Sequence, residues 1–402
     1  MKGKKKLMLL GGLRSLIPVI KLAHNMNLHV ITVDYLPGND AHKFSDEYYN
    51  VSIIDKEAVL ELAKKLNIDG IMSFAVDPGV VTASYVAEKM GLPFQGSFES
   101  VSILQDKALF RKFLTDNGFN VPKAKGYEKI EDALSENHIW PYPVIVKPVD
   151  SAGSKGVSKV DSPDKLKDAI IIALKASYSK RFIIEEYIET KGLSSDSESF
   201  SINGDLAICT FSDQRFDTKA ENPFVPAAYS WPSTMEISYQ KELHKELQRL
   251  VNLLDLKTGI YNIETRIGVN GKSYIMEFSP RGGGPRLAEM SDLAFNCHLV
   301  INAIRAAVNE PLIQDKIQHP DYFIVEMVIH ADKGGIFQEL IVSDYIKPLI
   351  IDIDLSVSKG NSVNSFMGAN DSIGTLVLKC PNLETVKLIT ENISDYVKVN
   401  VE

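Results

Sequence analysis

Two glutamates, Glu264 and Glu277, flank an Asn-Gly pair at 270–271 in the stretch GIYNIETRIGVNGKSYIMEFSPRGGG. An Asn-Gly pair between alternating apolar residues favours a two-residue type I′ hairpin turn, and the turn sets the register. Counting outward, Val269 faces Lys272, Arg266 faces Ile275, Glu264 faces Glu277 and Asn262 faces Ser279. The two carboxylates then share one face, while Tyr261, Ile263, Ile267, Tyr274, Met276 and Phe278 fill the other. Like charges placed so repel, and a solvated hairpin would normally set Lys or Arg across from Glu. A divalent cation between them removes the conflict, and an all-oxygen donor set suits Mg²⁺, with Mn²⁺ as a substitute. The strand ends in Pro280, Arg281, the glycines 282–284, Pro285 and Arg286. Glycine backbone and guanidinium groups there can close on an anionic ligand.

Other residues upstream fit the same chemistry. Lys147 closes the apolar strand 143–146, where an ammonium without a partner is costly to bury. The loop that follows carries Ser151, Gly153, Ser154, Lys155 and Gly156, whose amides, hydroxyls and ammonium could cover a polyphosphate. It is not a Walker A loop, since GxxxxGK[ST] is absent. Glu185, Glu186, Tyr187 and Ile188 end another strand and could offer backbone groups to an adenine edge. Lys107 lies early in a helical stretch and Glu198 in a later hairpin turning at Asn203-Gly204. By itself each is an ordinary surface or strand-end residue.

The elements that carry these groups alternate regularly at the N-terminal end. From Lys6 to about Gly96, strands KLMLL, HVITVD and GIMSF are spaced by helical stretches 13–25, 56–66 and 79–90, which implies a parallel, doubly wound sheet. Gly11 and Gly12 suggest a dinucleotide turn, but GxGxxG would need glycine at Leu13 and Leu16. Ligands of such sheets bind beyond the carboxyl ends of strands, which points to loops 11–15, 34–35 and 74–78. Helices are expected over the segment SVSILQDKALFRKFLTDNGFN, ended by Gly118, and over 163–176, 238–255, 287–309 and 383–393. Segments 213–229 and 282–290 read as substrate loops, and the section from Tyr322 as a small α+β unit closing one side of a cleft.

At 402 residues and 45% hydrophobic content the chain can bury cores for two or three domains. A net charge of −8 argues against a nucleic-acid surface. The basic start MKGKKK precedes an apolar run too short for a signal peptide, so a first strand is expected and no membrane association. Cys209, Cys297 and Cys380 match no zinc or disulfide spacing and suit a reducing cytoplasm.

The order of these features resembles the ATP-grasp superfamily over nearly the whole chain. That resemblance implies an α/β and α+β protein: a Rossmann-like domain at 1–100, ATP-grasp subdomains at 101–185 and 186–320, and a C-terminal α+β portion at 321–402. It implies ATP phosphates on Lys107 and Lys147 under a flap of Ser151, Gly153, Ser154, Lys155 and Gly156, and an adenine hinge at Glu185, Glu186, Tyr187 and Ile188. Glu198, or Asp196 in another register, would take the ribose hydroxyls. Glu264, Glu277 and Ser279 would hold Mg²⁺, with Ser279 standing where the superfamily usually has Asn. Arg281 would steady the transferred phosphoryl group and Arg286 the carboxylate. The activity implied is ADP-forming ligation of a carboxylate to an amine, both small molecules, in a possible homodimer. The alternatives are a carbamoyl-phosphate or carboxylase-type reaction and a non-catalytic nucleotide-binding regulator.

Overall fold

The computed structural model describes residues 3–284, 286–314 and 316–402. Pro285, beside the glycine run, lies outside the described residues. The N-terminal strands form a parallel sheet in which Lys6–Leu10 lies between His29–Val33 and Gly70–Met72, with Glu47–Tyr49 outermost. Leu7 to Leu10 are fully buried, as expected of a central parallel strand covered by helices on both faces. The doubly wound reading therefore describes this part, with Glu47–Tyr49 as an added edge strand.

The expected long helix after Gly96 is two helices, Phe98–Gln105 and Lys107–Asp116. Asp106 breaks them apart: its extended backbone ends the first, and its carboxylate caps the second by accepting from the amides of Ala108 and Leu109 at 2.9 and 3.0 Å. Lys107 is thereby the first residue of a helix rather than an early interior one. The stretch 287–309 divides likewise into Leu287–Phe295 and Leu299–Ala307, because Asn296 and His298 both take left-handed conformations (φ 53° and 55°).

Two antiparallel sheets frame the cleft. In one, Val144–Pro148 pairs with Ser158–Val160 and with Phe182–Glu186, which also pairs with Ala124–Tyr127. In the other, Gly259–Ile267 lies between Ser195–Ile202 and Ser273–Ser279, and Asp205–Cys209 completes the edge. Segment 213–229 is not a loop throughout. It supplies strands Asp213–Phe216 and Pro226–Trp231, which join Phe323–Ile329, Gly374–Cys380 and Ile350–Leu355 in one five-stranded sheet. That pairing runs across the domain boundary expected at residue 320. Among the described residues no helix is long and apolar enough to cross a membrane.

The expected hairpin register is half right. Asn262 pairs with Ser279 and Glu264 with Glu277, but beyond them Arg266 pairs with Tyr274, not Ile275. Of the turn residues only Gly271 has positive φ (74°), so the turn is not type I′, which needs φ > 0 at both central residues. The strands begin pairing one residue tighter, and a bulge at Met276 restores the register before Glu277. The bulge also exchanges faces. Ile275 joins the core with Tyr261, Ile263, Ile267 and Phe278, while Tyr274 and Met276 pack on the opposite side against Ile188. At Asn203-Gly204 both residues have positive φ (53° and 90°), as the sequence suggests.

Candidate nucleotide and metal site

A cavity of about 440 Å³, within the range of small-molecule sites, lies between the two antiparallel sheets. Its walls include Lys107, Lys147, Glu185, Glu186, Tyr187 and Ile188 at one end. Loop residues Ser151, Gly153, Ser154 and Lys155 cover it, and Glu264, Glu277 and Arg281 line the far side. Gly156, Glu198, Ser279 and Arg286 do not line it.

At the first end, Lys147 and Arg111 share one carboxylate. Lys147 Nζ bonds Glu185 Oε1, and Arg111 Nε donates to Glu185 Oε2 at 3.0 Å. Burial opposes ionisation of Glu185, but the two cations outweigh it and hold its carboxyl at about 2. The same burial, with repulsion from Arg111 and Lys107, brings Lys147 below the ordinary lysine range despite Glu185. Glu185, expected at the adenine hinge, lines the cavity; its backbone pairs with Ala124 on one side and Ile145 on the other, and its side chain bonds the two cations. The ladder ends at Glu186, whose amide bonds Lys123 O, leaving Tyr187 and Ile188 as the residues that turn along the cavity. Arg111 carries no sequence signal beyond being a helical arginine.

The covering loop is held on three sides. Lys107 Nζ donates to Ser151 O at 2.9 Å, Ser154 Oγ to Phe224 O at 2.8 Å, and Ala369 N to Gly153 O at 3.4 Å. Gly156 sits at φ 73°, and a Cβ there would lie 2.7 Å from that of Ala176, so its role is to let the loop turn against the helix Leu166–Ala176.

At the far side, polar residues form two rows across three strands: Asp196, Glu264, Glu277 and Glu198, Asn262, Ser279. Glu264 Oε1 accepts from Arg266 Nη2 at 2.7 Å, and Glu277 Oε2 lies 3.8 Å from Lys107 Nζ. Burial first, then the charge of Glu264, pushes Asp196 up to about 8. Glu198 is fully buried and pushed well above its ordinary range by burial and then by Asp196; one of its oxygens has no partner among the described residues. Its other oxygen accepts from Gly283 N and Asn262 Nδ2, both at 2.9 Å. Glu198 therefore anchors the glycine loop from behind, and Asp196 is the one of the pair that lines the cavity. Ser279 sits beside the carboxylate pair: its hydroxyl lies 3.3 Å from Glu277 Oε1 and 3.1 Å from Asp77 Oδ1, and it accepts from Gln105 Nε2 at 3.2 Å. Asn262 Oδ1 accepts from Arg281 Nη1 at 3.1 Å, which uses one of its two lone pairs.

Arg281 is gripped by Asp77, at the start of the helix Asp77–Met90, through Nε at 2.9 Å and Nη2 at 2.7 Å. Burial disfavours both charges, yet the bidentate pair raises the arginine further and holds Asp77 below the usual carboxylate range. The N-terminal loop 74–78 thus reaches the site through an arginine clamp. Arg286 instead pairs with Glu289 at 3.2 Å and Asp352 at 2.6 Å, two residues beyond cavity-lining Gly284.

Opposed oxygen donors at Glu264 and Glu277, with an acidic surplus from Asp196, fit a hard divalent cation. Lysines and loop amides beside them fit a polyphosphate. The class of protein follows: the chain carries an ATP-grasp domain, matched over residues 140–289, and such domains work with ATP and Mg²⁺. Among its relatives, the chain is 27% identical over 318 residues to formate-dependent phosphoribosylglycinamide formyltransferase of Wolinella succinogenes, covering 78% of each chain. It is 26% identical over 259 residues, 64% of its length, to the carbamoyl phosphate synthase large chain of Thermotoga neapolitana, of which it spans only 22%. Its fold is similar to L-amino acid ligase from Bacillus licheniformis, with TM-score 0.79 and 18% identity over the whole of both chains. It is also similar to the biotin carboxylase domain of Hydrogenobacter thermophilus 2-oxoglutarate carboxylase, a dimer in complex with MgADP, with TM-score 0.74 and 16% identity, covering 100% of this chain and 92% of that one.

Proposed function

We propose that the protein is an ADP-forming ligase that phosphorylates a carboxylate with ATP and passes the acyl group to an amine. The observation that carries this reading is the opposed pair Glu264 and Glu277 beside a clamped Arg281, at the end of a cavity that begins with paired lysine and carboxylate. The adenine lies against Tyr187, Ile188 and Met276, and Asp196 takes the ribose or the metal-bound phosphates. Lys107, Lys147 and the loop at Ser151, Gly153, Ser154 and Lys155 receive the polyphosphate. Glu264 and Glu277 would hold Mg²⁺, which would neutralise phosphate charge, with Ser279 Oγ 3.3 Å from Glu277 Oε1 beside them.

Arg281 donates to the oxygens that gain charge as the carboxylate attacks the γ-phosphorus and the bond to ADP breaks. Because Asp77 fixes its plane, no reorganisation is needed at that moment. The amine then attacks the acyl-phosphate carbon and phosphate leaves. No protein nucleophile is required, and the loop 151–156, already tied to residues 222–224 and 367–369, keeps water off the intermediate. The substrates are small molecules, the free cysteines suit the cytoplasm, and a homodimer is the assembly we favour.

The test is hydroxamate formation with Mg-ATP, hydroxylamine and a panel of metabolic carboxylates. A hydroxamate from one carboxylate, with equal ADP and phosphate release, is expected. ATP binding without hydroxamate across the panel would turn the reading toward a carboxylase-type or regulatory role.

A further inference from the structure

Behind the acceptor end of the cavity stands a carboxyl group that the phosphoryl chemistry does not use. Glu326, on Phe323–Ile329, is fully buried, and neither of its oxygens has a hydrogen-bond partner among the described residues. Leaving a buried carboxyl without donors is costly. Side chains alternate along a strand, so Glu326 shares its face with Val328, which lines the cavity. Across the ladder it is registered with Tyr229, another cavity residue. Tyr229 lies close enough to Asp196, Glu264 and Glu326 to feel the charge of all three, and it stands beside Glu326 in the cavity wall.

The groups that face Glu326 are unevenly charged. The helix Leu287–Phe295 packs over its strand and brings Arg286 and Glu289, and Asp352 reaches Arg286 from Ile350–Leu355, the next strand but one. One guanidinium thus serves three carboxyl groups. Arg286 favours and Glu289 disfavours the charge on Glu326, and burial, the largest influence, pushes it up to about 8. The surplus calls for one more positive charge bearing N–H donors. A divalent ion would need an octahedral oxygen shell, and the side chains flanking Glu326 on its strand face are Ile324 and Val328. A protonated amine needs only the carboxylate and supplies the missing hydrogen bonds.

We propose that Glu326, supported by Arg286 and Glu289, receives the ammonium group of the amine substrate and selects for amines that arrive as cations. This assignment rests on the ligase reading above. Its test is binding, with Mg²⁺ and a non-hydrolysable ATP analogue present. The wild-type protein and Glu326→Gln are titrated by calorimetry with the common L-amino acids and simple alkylamines, each beside its N-acetyl form, which lacks the ammonium. At least one free amine is expected to bind the wild type, its N-acetyl form to bind about tenfold or more weakly, and Glu326→Gln to lose about the same factor, as the loss of a charge-assisted hydrogen bond does. The isosteric glutamine removes a buried acid and should leave the fold intact. Binding of amine and N-acetyl amine alike, unchanged binding in the variant, or no binding by any amine in the panel would each overturn the assignment. Failure of the ATP analogue to bind would instead overturn the ligase reading. Hydroxylamine, largely uncharged at neutral pH, gives a second readout: Glu326→Gln should keep hydroxamate formation while losing the cationic amine, and equal loss of both would mark Glu326 as merely structural.

Discussion

Glu185 and Glu198 are both essentially inaccessible to solvent, the first in the wall of the cavity and the second behind it, yet their environments drive them in opposite directions. Glu185 has Arg111 and Lys147 on its two oxygens and stays ionised. Glu198 has only amide donors and a neighbouring acid, Asp196, and is pushed toward its neutral form. The lysine end therefore carries one positive charge more than its carboxylate offsets, while the metal end gathers carboxyl groups that burial drives toward the neutral form.

The sharpest way to break this contrast is at the metal end. Glu277→Gln is expected to abolish ATP turnover while circular dichroism and thermal unfolding remain close to wild type; turnover near the wild-type rate would remove Glu277 from the metal shell. At the lysine end the effect should fall on stability. Arg111→Ala leaves Glu185 with one cation in a buried site and is expected to cost about 1.5–3 kcal/mol in urea unfolding, as the loss of a hydrogen bond to a charged group does. A loss near zero would mean that Lys147 alone suffices. Next, Arg281→Ala should slow the chemical step by about 10²-fold, as removal of a preorganised donor does, with ATP affinity little changed. Single-turnover kinetics separate this from weakened binding. Asp77→Asn should produce a smaller fall of the same kind, because the guanidinium remains but loses its anchor.

The smallest effect is in pH dependence. Glu185 is depressed from 4.5 to about 2, so its stabilising contribution is complete above about 4.5 and is lost as pH falls toward 2. Unfolding free energies across that window should decline less steeply in Glu185→Gln than in wild type. Parallel acid limbs would show that the pair does not set acid stability.

The hairpin shows what the sequence can reveal. The opposition of Glu264 to Glu277 was legible from Asn270-Gly271 and alternation alone, although the turn type was wrong and the first pairs slipped by one. The slip was invisible because a bulge at Met276 cancels it, and nothing in YIMEF distinguishes a bulged strand from a regular one. Alternation places Asp196 and Glu198 on one face but says nothing of depth, which is why the cavity-lining acid of the pair had to come from the structure. Arg111 and Asp77 were illegible for a different reason. Each acquires its role from a partner 74 or 204 residues away, and local pattern has no access to such distances. The strands at 213–216 and 226–231 were missed because the first pairs with the second, whose other partner lies beyond residue 322.

That last pairing makes the chain less divisible than its order of segments suggests. Pro226–Trp231 is a middle strand whose neighbour, Phe323–Ile329, arrives almost a hundred positions later, about as a locking key arrives after its lock. A protein shortened near residue 320 would expose the backbone of Pro226–Trp231 as an open edge, a template for chain-to-chain association. During synthesis the same edge stays open until the ribosome delivers its partner. The C-terminal section is thus a closing part of the fold already begun upstream, and its loss is expected to produce aggregation rather than a smaller working enzyme.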